Sequence, residues 1–187
     1  MLDSVIATER LTLRPFAFED LSDVVAYATD EEWGRFLPLP STYTEADARR
    51  FLAVQLLLDW REHPSWAIVH EGRVVGGINM RFSAAFRIGE IGYSVARPLW
   101  GRGLVSEATR TVVDAAFERI RELDRVRAMA DVRNCGSLRV LEKTGFRREG
   151  VLRANRYVRD VAVDEVWCGL LRSEWEASRT ADDGSAP

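Results

Sequence analysis

The 187 residues, 47% hydrophobic and 29% charged, suit one soluble domain, which at this size buries about 70% of the surface its unfolded chain exposes. A formal net charge of −3 lacks the basic excess of bulk nucleic-acid binders, although a local basic patch stays open. Two cysteines, Cys135 and Cys168, and two histidines, His63 and His70, stand at no metal-ligand spacing, so no disulfide framework, metal site or His-centred triad is expected. Met1 to Arg10 holds two acidic residues and no apolar run, so no secretory leader is expected. No stretch reaches the ~20 apolar residues of a membrane helix, and the expected location is the cytoplasm.

Leu11 to Arg14 alternates apolar and polar residues up to Pro15, a short strand. Asp20 is placed to cap a helix whose stripe is Leu21, Val24, Val25 and Ala28. After Pro38 and Pro40, Thr44 caps a second amphipathic helix with Ala48, Phe51, Leu52 and Leu56, ending near Trp60. Trp66 to Val69, a turn at Glu71-Gly72 and Arg73 to Met80 read as a hairpin. Arg87 to Val95 is the next strand, with Glu90 on the face opposite the Ile91-Tyr93-Val95 stripe. A helix with Val105, Ala108, Val112, Ala115, Ala116 and Ile120 follows, then a strand from Val126 to Val132. Ser137 to Lys143 is a short helix with Gly145 just past its end. Phe146 to Leu152 and Glu165 to Leu171 complete a single α/β domain over 1–178, and 179–187 is expected as a disordered tail.

The stretch Gly92 to Leu104 runs from a strand through a glycine turn into a helix with Glu107 in its first turn. Helix starts present free N–H groups and a positive dipole end, and glycines let backbone close around a diphosphate. Arg97 and Arg102 are positioned to add charge. A plain strand-to-helix turn with glycine at positive φ explains the same residues. A dinucleotide fingerprint lacks its third glycine at Ser106, and a P-loop lacks Gly-Lys-Ser/Thr.

The same stretch resembles the coenzyme A pyrophosphate loop of the GNAT acetyltransferase superfamily: Arg or Gln, two residues, Gly, one residue, Gly or Ala. Gly101 and Gly103 match, while Pro98 stands at the Arg/Gln position with Arg97 beside it. Trp100-Gly101-Arg102-Gly103-Leu104 followed by Ser106-Glu107-Ala108 is similar to the RimJ/RimL branch, which acetylates protein N-termini. A second signature follows about thirty residues later, with Asn134-Cys135-Gly136-Ser137, Val140-Leu141-Glu142-Lys143 and Gly145-Phe146. Thr8 to Pro15 and Leu170-Leu171 with Glu174-Trp175 extend the likeness over 8–175.

The resemblance implies a mixed, mostly antiparallel central sheet flanked by helices on both faces, with acetyl-CoA as co-substrate. It implies that backbone groups at Tyr93 and Val95 receive the thioester end, in a strand splayed by a bulge with which Gly92 and Ser94 are compatible. Trp100, Gly101, Arg102, Gly103 and Leu104, with Arg97, would hold the diphosphate, and Asn134 would contact the coenzyme. Many relatives carry a Tyr where this chain has Leu141, and Ser137 takes over proton donation to sulfur in RimJ/RimL-like enzymes. Glu90 resembles the family's base, acting directly or through water, and Cys135 is structural.

The resemblance leaves three functions open: a protein N-terminal α-amine acetyltransferase, a small-molecule amine acetyltransferase, and a non-catalytic acyl-CoA binder. The first helix pair and Arg153 to Asp164 are expected to shape the acceptor cleft, with Trp33, Phe36, Trp60, Arg153, Arg156 and Tyr157 as candidates. Exposed strand edges leave room for a homodimer.

Overall fold

The computed structural model describes residues 1–83 and 85–183. In chain order its elements are β1 (Ile6–Ala7), β2 (Thr12–Pro15), α1 (Leu21–Ala28), α2 (Glu45–Leu57), β3 (Ser65–His70), β4 (Arg73–Ser83), β5 (Ile88–Val95), α3 (Leu104–Arg119), β6 (Arg125–Asp131), α4 (Cys135–Lys143), β7 (Arg147–Val158), β8 (Val161–Leu171) and α5 (Arg172–Asp183). The strands form one sheet in the order β1-β2-β3-β4-β5-β6-β8-β7. Neighbours are antiparallel except β5 and β6. A parallel pair needs a long crossover, which α3 supplies.

Alternation along the strands divides the core. Trp66, Ile68, Ile78, Met80 and Ile91 face α3, whose Ala108, Val112, Ala116 and Phe117 bury against them. Ala67 and Val74 face the other way, beneath Val24, Tyr27, Ala48 and Leu52 of α1 and α2. Val74 and Ile78 reach opposite faces of one strand because a bulge intervenes. Ile68 pairs with Gly76 and Val69 with Val74, which leaves Val75 as the extra residue. Phe117 is fully buried and stacks on Trp175 at 5.2 Å, a burial of about 1.5–3 kcal/mol.

Several local expectations change. Asp20 stands at the N-cap of α1, but its side chain makes no capping bond there; it ends a 3-10 turn at Phe18–Asp20 and accepts bonds from Arg14 (2.6 and 2.9 Å) and from the Ala17 amide (2.8 Å). Burial opposes its ionisation, but those bonds prevail and hold the carboxyl below its ordinary range. Helix α2 stops at Leu57, since Leu58 turns extended. Trp60 then packs edge-on against Trp66 at 5.0 Å, in the α3-side core.

Arg153 to Asp164 lies within the β7–β8 hairpin. Arg159 and Asp160 both hold positive φ (50° and 62°), as a two-residue hairpin turn requires, but without the Asn-Gly that announces one. Residues 179–183, assigned to the tail, extend α5; Arg179 pairs with Glu118 (3.2 Å) and lies 5.2 Å over the Trp175 ring. The remainder, 184–187, lies outside the described residues. No helix among the described residues is long and apolar enough to cross a membrane.

Candidate active site

The site begins where β5 and β6 separate. They pair only over Ile88–Glu90 and Arg125–Arg127, yet β5 continues to Val95 and β6 to Asp131. Each stays supported on its outer side, β5 by β4 and β6 by β8. The Ala96 N–H donates across to Val75 O at 2.7 Å. Alternation in an antiparallel ladder therefore turns the backbone N–H groups of Tyr93 and Val95 away from β4 and into the gap. The β4–β5 ladder is regular from Gly76 to Ser83, so the bulge expected near Gly92 and Ser94 is absent; the irregularity sits at Val75.

Across the gap stands α4. Asn134 caps it by accepting from Ser137 N at 3.0 Å, so its carbonyl oxygen serves the helix. Tyr93 Oη lies 3.0 Å from Ser137 Oγ and 3.2 Å from the Ser137 carbonyl oxygen. Burial pushes the Tyr93 phenol well above its ordinary value, against the Ser137 hydrogen bond, so it remains a protonated donor. Leu141 is buried in the core, and the exposed Cys135 makes no hydrogen bond with the Tyr93–Ser137 pair.

At the top of the gap the chain makes a 3-10 turn, Arg97–Leu99, and then passes through Gly101 and Gly103 with φ of 74° and 80°. Glycine adopts this left-handed region freely. Trp100 Nε1 donates to Val95 O at 2.8 Å and folds the loop onto the strand end. Helix α3 opens at Leu104 without a side-chain cap, which leaves first-turn N–H groups for an anion. Glu107 takes bonds from Thr8 Oγ1 (2.5 Å), Arg10 N (2.9 Å) and Arg10 Nε (2.7 Å), and Arg10 Nη1 reaches Arg102 O at 3.0 Å. Burial opposes Glu107 ionisation, but these bonds hold its carboxyl below the usual range. The N-terminal segment thus braces the loop. Arg97 instead pairs with Asp30 (2.8 Å), and the exposed Arg102 engages only through its backbone.

The opposite face of β5 carries Glu90, Gly92 and Ser94. Glu90 sits where the β5–β6 pairing ends, and both Arg127 contacts, 2.9 and 3.1 Å, fall on its Oε2. Arg127 also lies 5.0 Å over the Trp167 ring. Further along the same face a cavity of about 260 Å³ opens under α1 and α2, floored by Asn79, Gly92 and Ser94 and walled by Tyr27, Trp33, Tyr43 and Phe51.

Of the acceptor residues expected from sequence, Trp33 alone lines this cavity. Phe36 lies beside Arg35 and Arg133, Arg156 pairs with Glu165, and Arg153 and Tyr157 are exposed. His63 enters from an unexpected direction: the turn before β3 sets its Nε2 3.4 Å from Asn79 Oδ1. Burial lowers its pKa, with Asn79 opposing. No spacing in the sequence signals that approach, because residues 63 and 79 meet only through the hairpin.

Comparison with known proteins agrees with this geometry. The acetyltransferase (GNAT) domain family matches residues 10–147. The chain is 31% identical over 173 residues to "Uncharacterized N-acetyltransferase p20" of Bacillus licheniformis, covering 90% of this chain and 96% of the relative. It is 30% identical over 181 residues to "Putative ribosomal N-acetyltransferase YdaF" of Bacillus subtilis, covering 91% and 96%. The crystal structure of a GNAT-family acetyltransferase from Bacillus anthracis superposes with a TM-score of 0.81 at 27% identity, covering 90% of this chain and 99% of that one. The chain belongs to the GNAT acetyltransferase family and is an acetyltransferase with acetyl-CoA as its acetyl donor.

Proposed function

We propose that the protein transfers acetyl directly to a primary amine, the acceptor being a protein N-terminal α-amine. One observation carries the reading: the two faces of β5 serve different ends at the same residues. The gap beyond Glu90 exposes the Tyr93 and Val95 backbone on the Ser137 side, and the acceptor cavity opens at Gly92 and Ser94 on the other. The name of the Bacillus subtilis relative, and the RimJ/RimL-like wording around Trp100 to Leu104, favour a ribosomal-type protein N-terminus.

The uncapped α3 start with Gly101 and Gly103 fits a diphosphate, and the gap fits an extended arm that replaces missing strand bonds. Acetyl-CoA supplies an activated acetyl thioester. The N–H groups of Tyr93 and Val95 would polarise its carbonyl, and Ser137 Oγ would pass its proton to the departing sulfur and regain one from water, which balances the proton that the amine gives up. Glu90 takes the proton of the incoming amine through water. An α-amine, with a pKa near ~8 against ~10.4 for Lys, gives up that proton more easily. The setting is cytoplasmic. The outer edge strand β7, with Val151, Leu152 and Tyr157 exposed, offers an edge for a homodimer.

The test is acetyl transfer read by intact mass, with free-N-terminus peptides, N-blocked Lys peptides, polyamines and aminoglycosides as acceptors. Selective acetylation of free N-termini is the expected result. Transfer confined to small amines replaces the protein acceptor, and binding of acetyl-CoA without any transfer would point to an acyl-CoA binder.

A further inference from the structure

We infer that the cavity over Gly92 and Ser94 is a pocket for an apolar side chain, so the acceptor carries a ring or a long aliphatic group next to its amine. This rests on the proposal that the cavity side of β5 receives the amine. None of the residues lining the cavity is charged. A polyamine or aminoglycoside would bring further ammonium groups with no carboxylate to meet them, and an unpaired buried charge is costly. Asp30, Glu31 and Glu32 of the α1–α2 connection are not among the lining residues, and two of them are already paired, Asp30 with Arg97 and Glu32 with Arg35.

Size and stiffness point the same way. A cavity of about 150 Å³ already holds a benzene ring, and this one, at about 260 Å³, takes a ring with its attached backbone. The walls are set by edge-to-face contacts. Tyr27 and Trp33 lie 5.1 Å apart at 62°, Trp33 and Tyr43 6.2 Å at 70°, and Phe16 and Phe51 5.1 Å at 85°. Such contacts hold rings in defined orientations, so the pocket is preformed. Gly92 adds no side chain to the floor, and a Cβ there would only reach ordinary contact with Asn79 (3.4 Å to Nδ2). Aromatic walls also attract cations, but the reacting amine must be neutral, and Gln55 is the polar group at the Ser65 side (Ser65 Oγ to Gln55 Oε1, 2.6 Å).

The chemistry is shared by two sources, a peptide whose first residue is bulky and apolar, and a free apolar amino-acid derivative. The experiment uses the full chain with two readouts. The first is kcat/KM for peptides differing only in the first residue (Phe, Leu, Ala, Ser, Lys), with phenylalanine amide and spermidine alongside. The second is calorimetric binding of phenylalanine amide and serine amide to the protein saturated with coenzyme A. Phe- and Leu-first peptides should exceed Ser-first by about a hundredfold, the range several buried methylenes provide. Phenylalanine amide should also bind more tightly than serine amide. Gln55→Glu keeps the Ser65 hydrogen bond and should shift preference from Phe-first toward Lys-first by about tenfold.

A peptide preferred over phenylalanine amide identifies the protein source, and the reverse identifies the free compound; both support the pocket. Equal rates along the series, or a preference for Lys-first peptides or spermidine in the unaltered protein, overturn it and leave the transferase reading intact. Tighter binding of phenylalanine amide without any acetylation supports the pocket and removes the α-amine acceptor proposed above.

Discussion

Tyr93 Oη and Ser137 Oγ meet at 3.0 Å across the opening between β5 and α4. Asn134 fixes the backbone of Ser137, and the flanking ladder fixes that of Tyr93. If Tyr93 donates to Ser137 Oγ, the serine proton is free to point at a sulfur in the gap. If Tyr93 donates to the Ser137 carbonyl, 3.2 Å away, its oxygen accepts the serine proton instead. The first arrangement suits a relay, the second a structural clamp. Ser137→Ala is expected to lower kcat by at least about a hundredfold, as for loss of a general acid, with acetyl-CoA affinity nearly unchanged. Tyr93→Phe should lower kcat about tenfold, and the double variant should be no worse than Ser137→Ala alone. Additive losses would assign the two groups separate roles, and an equal loss in binding would make Ser137 a binding residue.

Glu90 carries the second prediction. Glu90→Gln keeps the shape and a hydrogen bond for Arg127 but removes the acceptor of the amine proton. At neutral pH kcat should fall by about a hundredfold or more, while acetyl-CoA affinity measured by calorimetry stays within about twofold. An unchanged rate and pH profile would remove Glu90 from the mechanism, and the imidazole beside Asn79 would become the next group to replace.

How much of this was readable in the sequence depends on how local each feature is. Gly101 and Gly103, the cap at Thr44 and the Glu71-Gly72 turn are set by neighbours within a few residues, and they appear in place. The acceptor pocket assembles from positions 16, 27, 33, 43 and 51 above 79, 92 and 94. Those aromatics share no period, and only the packing of α1 and α2 on the sheet gathers them. Trp60 was misassigned because the apolar pattern of α2 continues past the point where Leu58 leaves the helix. The Arg97–Asp30 pair has no local signal either, because the two residues are 67 positions apart. Gly92 and Ser94 permit a bulge in β5, but that ladder is regular, and the bulge at Val75 belongs to the β3–β4 pair.

Gly76 tests how tightly the bulge supports the site. A Cβ at this position would overlap the Ser94 carbonyl oxygen and stand 2.8 Å from Val95 Cα, both backbone atoms of β5. Gly76→Ala must therefore push β4 from β5, and overpacking of this kind costs about 1–3 kcal/mol. Gly101→Ala meets no atom within 4 Å, only a φ of 74°, and should cost about 1–2 kcal/mol. Urea denaturation should rank Gly76→Ala as the less stable. Gly76→Ala should also raise the KM for acetyl-CoA, because the displaced residues border the gap. A stable Gly76→Ala with unchanged kinetics would show that β5 is free to shift without loss.

The last prediction concerns acid. Burial lowers the His63 pKa beneath its ordinary 6.5, with the Asn79 bond opposing, so the folded state prefers the neutral ring. The unfolded chain then binds more protons between the folded value and 6.5, and stability rises with pH through that window. Read downward, stability contributed by neutral His63 is present above 6.5 and is lost as pH falls toward the folded value. Asp20, Asp131 and Glu107 act separately. Their carboxyls are held below their ordinary 3.8, 3.8 and 4.5, so their contribution is full above those values and fails only in stronger acid. His63→Gln, which can still bond to Asn79, should flatten the urea midpoint in the window just below the ordinary histidine value and leave the fall in stronger acid in place. An unchanged slope in the upper window would mean that His63 titrates alike in the folded and unfolded chain, and that its burial does not restrict its charge.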